Sequence, residues 1–162
     1  MRIRTATQDD LDAICRVEAI CFPASEAGTR ESFAARLKVF PRHFLLLEDE
    51  GRLIGFVNGM VTDDRTISDV MFEQAELHKE DGKWQSVFGL DVLPEYRRKG
   101  YAGQLMRALI EHAREDGRCG CILTCKEHLL PYYTRFGFRN LGVSLSQHGG
   151  VVWYEMVLEF SC

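Results

Sequence analysis

The chain has 162 residues, 46% hydrophobic and 27% charged, with a net charge of −4. That is the size of one domain with a self-sufficient core, and the composition excludes disordered and fibrous classes. The acidic balance speaks against a grip on duplex nucleic acid, which needs clustered Lys and Arg, and no apolar run reaches the roughly 20 residues of a membrane span. Met1-Arg2-Ile3-Arg4-Thr5 leads to Asp9 and Asp10 without the apolar stretch of a signal peptide, so the expected location is cytoplasmic. The six cysteines, Cys15, Cys21, Cys119, Cys121, Cys125 and Cys162, are scattered like small buried hydrophobes rather than a disulfide framework. Cys119, Cys121 and Cys125 with His128 lack a C-x2-C pair, so no metal is expected.

A strand is predicted over Arg2 to Thr5. A capping-box start at Thr7-Gln8-Asp9-Asp10 then opens a helix with Leu11, Ile14, Val17 and Cys21 at helical spacing. Gly28-Thr29 opens a second helix with Phe33, Leu37 and Phe40 on one face, stopped at Pro41. His43 to Leu47 and Leu53 to Val61, joined by Glu48-Asp49-Glu50-Gly51, form a hairpin. Thr62 to Gly82 reads as a long functional loop with a helical turn around Met71 to Leu77, and its Asp63, Asp64, Asp69, Glu73 and Glu76 suit attraction of a cation. Trp84 to Leu93 reads as one strand, with a bulge or close backbone approach at Gly89. Tyr101 to Asp116 carries Leu105, Met106, Leu109, Ile110 and Ala113 as one helical stripe. A strand at Cys121 to Thr124 and a short helix at Leu130 to Phe136, capped by Gly137, come next. The last hairpin pairs Leu141 to Gln147 with Val151 to Leu158 across His148-Gly149-Gly150. The expected fold class is α/β: a mixed, mostly antiparallel central sheet of about seven strands with about four helices, ordered β-α-α-β-β-β-α-β-α-β-β, as a single domain over residues 1–162.

Between the strand ending at Leu93 and the next helix lies Arg97-Arg98-Lys99-Gly100-Tyr101-Ala102-Gly103. Small residues there let backbone approach a ligand, the helix start offers free N–H groups, and three basic side chains suit a pyrophosphate or a 3'-phosphate. This loop and the order of elements resemble the GNAT superfamily of acyl-CoA N-acyltransferases over nearly the whole chain. Leu90-Asp91-Val92-Leu93 and the run Thr124 to Phe138, with Pro131-Tyr132-Tyr133, resemble its arylalkylamine (serotonin) N-acetyltransferase branch.

The resemblance implies acetyl-CoA as co-substrate and no metal. Leu90, Asp91 and Val92 would pair with the pantetheine arm, and Arg97, Arg98, Lys99, Gly100, Tyr101, Ala102 and Gly103 would wrap the pyrophosphate. Tyr133 would stand beside the thioester sulfur as an acid. The branch's His-x-His relay falls on Ser86 and Phe88 and is absent. Phe22-Pro23-Ala24-Ser25-Glu26 resembles instead the arrangement in dopamine-acetylating relatives, making Glu26 the expected proton acceptor. Phe22, Pro23, Phe88 and Trp153 are the expected apolar walls of the amine site. The five histidines are dispersed and are expected at the surface or in packing, and Cys125 lacks a triad-like neighbour, so direct transfer is expected over an acyl-enzyme. The leading expectation is an N-acetyltransferase of a small aromatic or alkyl amine, monomeric or homodimeric, with no nucleic-acid or membrane partner. A protein N-terminal or lysine acetyltransferase and a non-catalytic acyl-CoA sensor are the alternatives.

Overall fold

Local signals set the starts of the first two helices. The Thr7 amide and hydroxyl both donate to the Asp10 carboxylate, at 2.8 and 3.3 Å, forming the predicted capping box ahead of α1 (Leu11–Cys21). The Ser32 amide donates to the Thr29 hydroxyl at 3.1 Å and opens α2 (Arg30–Val39). Arg4 of β1 (Arg2–Thr5) spans Asp10 and Glu48, tying the first strand to the helix start and to β2 (Phe44–Asp49). This computed structural model describes residues 1–146 and 148–162.

Two predicted strands are broken, and the breaks divide the sheet. Leu53 to Val61 becomes β3 (Arg52–Asn58) and β4 (Val61–Thr62), while Trp84 to Leu93 becomes β5 (Trp84–Val87) and β6 (Gly89–Val92). Gly59 lies so close to the second strand that a Cβ on it would stand 1.9 Å from the Ser86 carbonyl oxygen, so no other residue fits that crossing. The Ser86 amide donates to the Met60 carbonyl at 2.9 Å and the Phe88 amide to the Asn58 carbonyl at 2.7 Å. The predicted single sheet is therefore two: β1-β2-β3-β6, and a second with order β4-β5-β7-β9-β8 built on β7 (Gly120–Cys125), β8 (Arg139–Val143) and β9 (Tyr154–Glu159). Among the described residues only β5 and β7 run parallel, in register from Trp84 opposite Gly120 to Val87 opposite Leu123. Past that point β6 turns to pair with β3, and a wedge opens between β6 and the end of β7.

The helices that flank the wedge are α4 (Tyr101–Glu115), with its predicted stripe buried, and α5 (Leu130–Thr134), which ends two residues earlier than predicted. A fifth helix, α3 (Asp69–Glu73), sits in the long loop and is followed by a 3-10 turn at Ala75–Leu77. The predicted strand Leu141 to Gln147 ends at Val143, and Gln147 lies outside the described residues. In place of a tight hairpin turn, the Ser144 amide bonds the Trp153 carbonyl at 2.7 Å, and the described residues 145, 146 and 148–152 form an excursion beyond that bond. The cysteine expectation is also corrected. The Phe160 amide bonds the Cys119 carbonyl at 2.7 Å, which brings Cys162 beside Cys119, and the two form a disulfide; Cys15, Cys21, Cys121 and Cys125 are free. No helix among the described residues is long and apolar enough to cross a membrane.

The end of the long loop is pinned by a polar knot. Fully buried His43 stands between His112 and Glu80, at 3.0 Å from each, and His78 Nε2 meets the same Glu80 at 2.9 Å. The spacing of these groups would suit a cation. The Val61 amide, however, donates to His78 Nδ1 at 2.9 Å, which leaves the ring proton on Nε2 as a donor to Glu80 rather than a ligand lone pair. Arg118 pairs with both Glu80 and Asp116, supplying the positive charge already.

Burial lowers His43 to about 4. Burial works against the Glu80 carboxylate, but hydrogen bonds from His78 and His43 outweigh it and bring Glu80 to about 2. Hydrogen bonding from Arg42 brings Asp116 to about 2 as well. All three folded values lie below the unfolded ones, so between the unfolded and folded values the unfolded chain binds more protons and stability falls as pH falls. The denaturant midpoint is therefore expected to drop from pH 7 to pH 4, and His43→Gln, which carries no titrating ring, should flatten the part of that drop between about 6.5 and 4. An equal slope in the variant would show that His43 has no part in the drop.

Candidate active site

The wedge widens into a cavity of about 680 Å³. One end is built from Gly89, Leu90 and Val92 of β6, from Leu123, Thr124 and Cys125 of β7, and from Tyr133 of α5. Because β6 is the edge of its sheet, its outer backbone groups face this space without a strand partner. The basic loop stands at the same end, bracketed by Arg97 and Ala102, which line the cavity. Arg97 Nε donates back to the Val92 carbonyl at 3.0 Å, and Arg98 and Gly100 take positive φ angles of 62° and 86°. A Cβ at Gly100 would have no atom within 4 Å, and the first amide of α4 with a helical acceptor is Gln104, bonded to the Gly100 carbonyl at 3.1 Å. Open space, free amides before Gln104 and the exposed Arg97, Arg98 and Lys99 make an anion cradle that fits a pyrophosphate.

The other end is aromatic. Phe22, Phe33, Phe72, Phe88, His148 and Trp153 line it, with Phe72 and Phe88 packed at 4.5 Å between ring centres. Glu26 reaches the cavity and pairs with Lys126 at 2.8 Å. His148 and Trp153 fold over this end: His148 Nε2 donates to the Glu26 carbonyl at 2.9 Å, its ring stacks on Phe72 at 6.0 Å and 9°, and the Trp153 indole N–H donates to the His148 carbonyl at 2.8 Å. Glu18, Arg36 and Asn58 bring polar groups to the same cavity. The Gly28 amide donates to Glu18 Oε2 at 2.8 Å, and Arg36 donates to Asn58 Oδ1 at 3.1 Å and to the Phe72 carbonyl at 3.0 Å. The Arg36 guanidinium lies 4.9 Å from the ring centres of both Phe33 and Phe88.

Of the predicted site residues, Phe22, Glu26, Phe88, Leu90, Val92, Arg97, Ala102, Tyr133 and Trp153 line the cavity. Arg98, Lys99, Gly100, Tyr101 and Gly103 form the loop and first helical turn between Arg97 and Ala102 or just beyond. Asp91 is buried and does not line it, and Pro23 is exposed, its carbonyl accepting the Glu26 and Ala27 amides at 2.9 Å each to build the turn. Ser86 is buried with its hydroxyl on the Met60 carbonyl at 2.6 Å, away from the cavity. Of the five loop acids, Asp69 and Glu73 line the cavity, while Asp63 is bonded to Lys79. Glu18, Arg36, Asn58, Phe72 and His148 are contributors that the sequence reading did not assign.

Two groups near the wedge are held protonated. Burial pushes the Tyr133 phenol well above its usual value, with Cys125, Tyr132 and Asp91 adding to it. Burial raises the Cys125 thiol to about 11, and its sulfur touches Met156 rather than a base.

The model of the acetyltransferase (GNAT) family matches residues 11–138. The chain belongs to that family. It is 25% identical over 168 residues to a serotonin N-acetyltransferase of Mesocricetus auratus, across 98% of this chain and 77% of that protein. Its fold matches that of GphF, a GNAT-like decarboxylase in complex with isobutyryl-CoA, with a TM-score of 0.82 at 20% identity over 98% and 99% of the two chains. It also matches a GNAT family acetyltransferase from Brucella melitensis in complex with acetyl-CoA, with a TM-score of 0.64 at 20% identity over 99% and 88%. As a GNAT N-acetyltransferase it takes acetyl-CoA as co-substrate. Gly100→Glu places a strained side chain and a negative charge in the anion cradle, so coenzyme A binding by calorimetry is expected to vanish while the protein, with a somewhat lowered unfolding midpoint, stays folded. Unchanged affinity would place the nucleotide elsewhere.

Proposed function

We propose that this GNAT enzyme acetylates a small aromatic or alkyl primary amine by direct attack of the amine on the thioester. The carrying observation is the aromatic end of the cavity, where His148 ties its own segment, which also carries Trp153, to the turn at Glu26 and to α3 through Phe72. A peptide N-terminus or a lysine side chain on a protein needs an open groove there. Phe22, Phe88 and Trp153 supply apolar wall, and Pro23 shapes the turn that sets Glu26.

The chemistry asks for a proton acceptor at that end. An alkylamine resembles lysine, so presenting it neutral at pH 7 costs about 3.4 units, or roughly 4.6 kcal/mol. Glu26, paired with Lys126, and Glu18, with no ion pair among the described residues, both reach the cavity. At the other end Tyr133, held as a phenol by burial, would donate a hydrogen bond to the departing sulfur. Direct transfer is supported by Cys125, a buried thiol whose sulfur contacts Met156 and which burial holds protonated, making it a poor nucleophile. Leu90 to Val92 would hold the pantetheine arm and Arg97 to Gly103 the pyrophosphate. Four free cysteines suit a cytoplasmic setting, against which the Cys119–Cys162 bond stands.

Tyr133→Phe keeps the ring and removes only the hydroxyl, so kcat is expected to fall about 100-fold with little change in acetyl-CoA affinity. In a thiol-release assay with aromatic amines, polyamines and N-terminal peptides, the small aromatic or alkyl amines are expected to give the highest kcat/KM. A preference for peptides would overturn the closed-site reading, and binding of coenzyme A without turnover of any amine would make the domain a sensor.

A further inference from the structure

Asp91 is the most anomalous polar group of the molecule. It is 1% exposed, and no N–H or O–H among the described residues reaches either of its carboxyl oxygens. A buried ionised carboxylate without a donor is untenable, so the group must hold a proton or find one. The side chain it meets is Glu18, which can only accept unless one of the two carboxyls is protonated. Glu18 is itself 8% exposed, has one oxygen held by the Gly28 amide, and lines the cavity that Asp91 underlies.

We infer, on the N-acetyltransferase reading above, that Glu18 and Asp91 act as one carboxyl pair sharing a single proton, and that Glu18 accepts the proton of the bound amine. Glu18 is the catalytic residue of this pair and Asp91 the positioning residue. With one shared proton, the pair and the buried cation of Arg36 together carry no net charge, which is the cheapest state for three ionisable groups in one apolar floor. The groups facing Asp91 are Glu18 and Cys21 from α1, Arg36 from α2 and Tyr133 from α5. Burial raises Asp91 well above the usual carboxylate value, Glu18 adds to this, and Arg36 opposes it. Glu26 differs: Lys126 already matches its charge.

The step balances. An amine arriving as R–NH3+ loses one proton to Glu18, which puts a second proton on the pair. The freed nitrogen lone pair forms the C–N bond at the thioester carbonyl carbon, and the C–S bond breaks with its electron pair going to sulfur. The nitrogen then loses its second proton, matching the proton that sulfur gains to leave as a thiol. Glu18 returns its proton to solvent, so each turnover releases one proton, one amide and free coenzyme A.

Glu18→Gln is expected to lower kcat/KM about 100-fold and to abolish the acidic limb of its pH profile, with coenzyme A affinity unchanged by calorimetry. Amines of different pKa separate this limb from their own ionisation, because the limb set by the protein stays in place. Asp91→Asn should move the limb and remove from the infrared spectrum at pH 7 the carbonyl band of a protonated buried carboxyl. Glu26→Gln should raise KM and leave the limb in place. A limb that survives Glu18→Gln, or a wild-type spectrum with no band sensitive to Asp91→Asn, overturns the inference. A wild-type protein that turns over no amine yet keeps the band marks the other failure, that of amine acetylation itself, and takes the catalytic role of Glu18 with it.

Discussion

The contact on which the site depends is the near-collision of two backbones at Gly59 and Ser86. It lets the chain cross from one sheet to the other twice at the same level, once between Asn58 and Val61 and once at Phe88. Crossing costs ladder hydrogen bonds, and each buried backbone group left without a partner would cost about 1–3 kcal/mol. Side chains close the gap: Gln85 Nε2 donates to the Gly59 and Ser86 carbonyls at 2.9 Å each, and the Ser86 hydroxyl donates to the Met60 carbonyl. Ser86, onto which the family resemblance maps the first histidine of a His-x-His relay, instead stitches the break. The freed edge of β6 and the open end of β7 then form the two walls of the wedge.

Labour is divided along this one cavity. The α4 start and its basic loop supply positive potential at one end. Aromatic rings and carboxyls supply an apolar, cation-tolerant end at the other. Arg36 ties the aromatic end to the long loop that carries α3, since it holds the Phe72 carbonyl while lying 4.9 Å from the centres of both the Phe33 and Phe88 rings. Burial lowers Arg36 to about 10, offset by Glu18 and Asp91, so it stays a cation at neutral pH. Stacking against an aromatic face adds about 0.5–2 kcal/mol per ring. The far end of the same segment is fixed by the knot around His43, so α3 is anchored on both sides.

Most elements were legible because their signals are local. The Thr7–Asp10 box, the Thr29 cap and the stripe of α4 each lie within a few residues, and all three recur in the structure. The basic loop was legible for the same reason. The sheet break was not, because Gly59 reads like any glycine in a strand until Ser86 is known to face it, although Gly89 marked the partner break within one residue. Glu18 and Arg36 fall on the stripes Ile14-Val17-Glu18-Cys21 and Phe33-Arg36-Leu37-Phe40, so helical spacing alone places a charge on each buried face. Those charges were the readable sign of a polar floor. The cover that His148 and Trp153 make over the aromatic end and the Cys119–Cys162 bond depend on contacts such as His148 to Glu26 and on the register of β7 with β9, which no local signal carries.

In the proposed reaction both substrates occupy the cavity together, and the acetyl group passes between them without resting on the protein. Initial-rate kinetics with acetyl-CoA and amine varied against each other separate this route from a two-step transfer. Direct transfer predicts intersecting double-reciprocal lines and no acetyl group on the protein after incubation with acetyl-CoA alone. Parallel lines together with an acetyl group on Cys125 would contradict it.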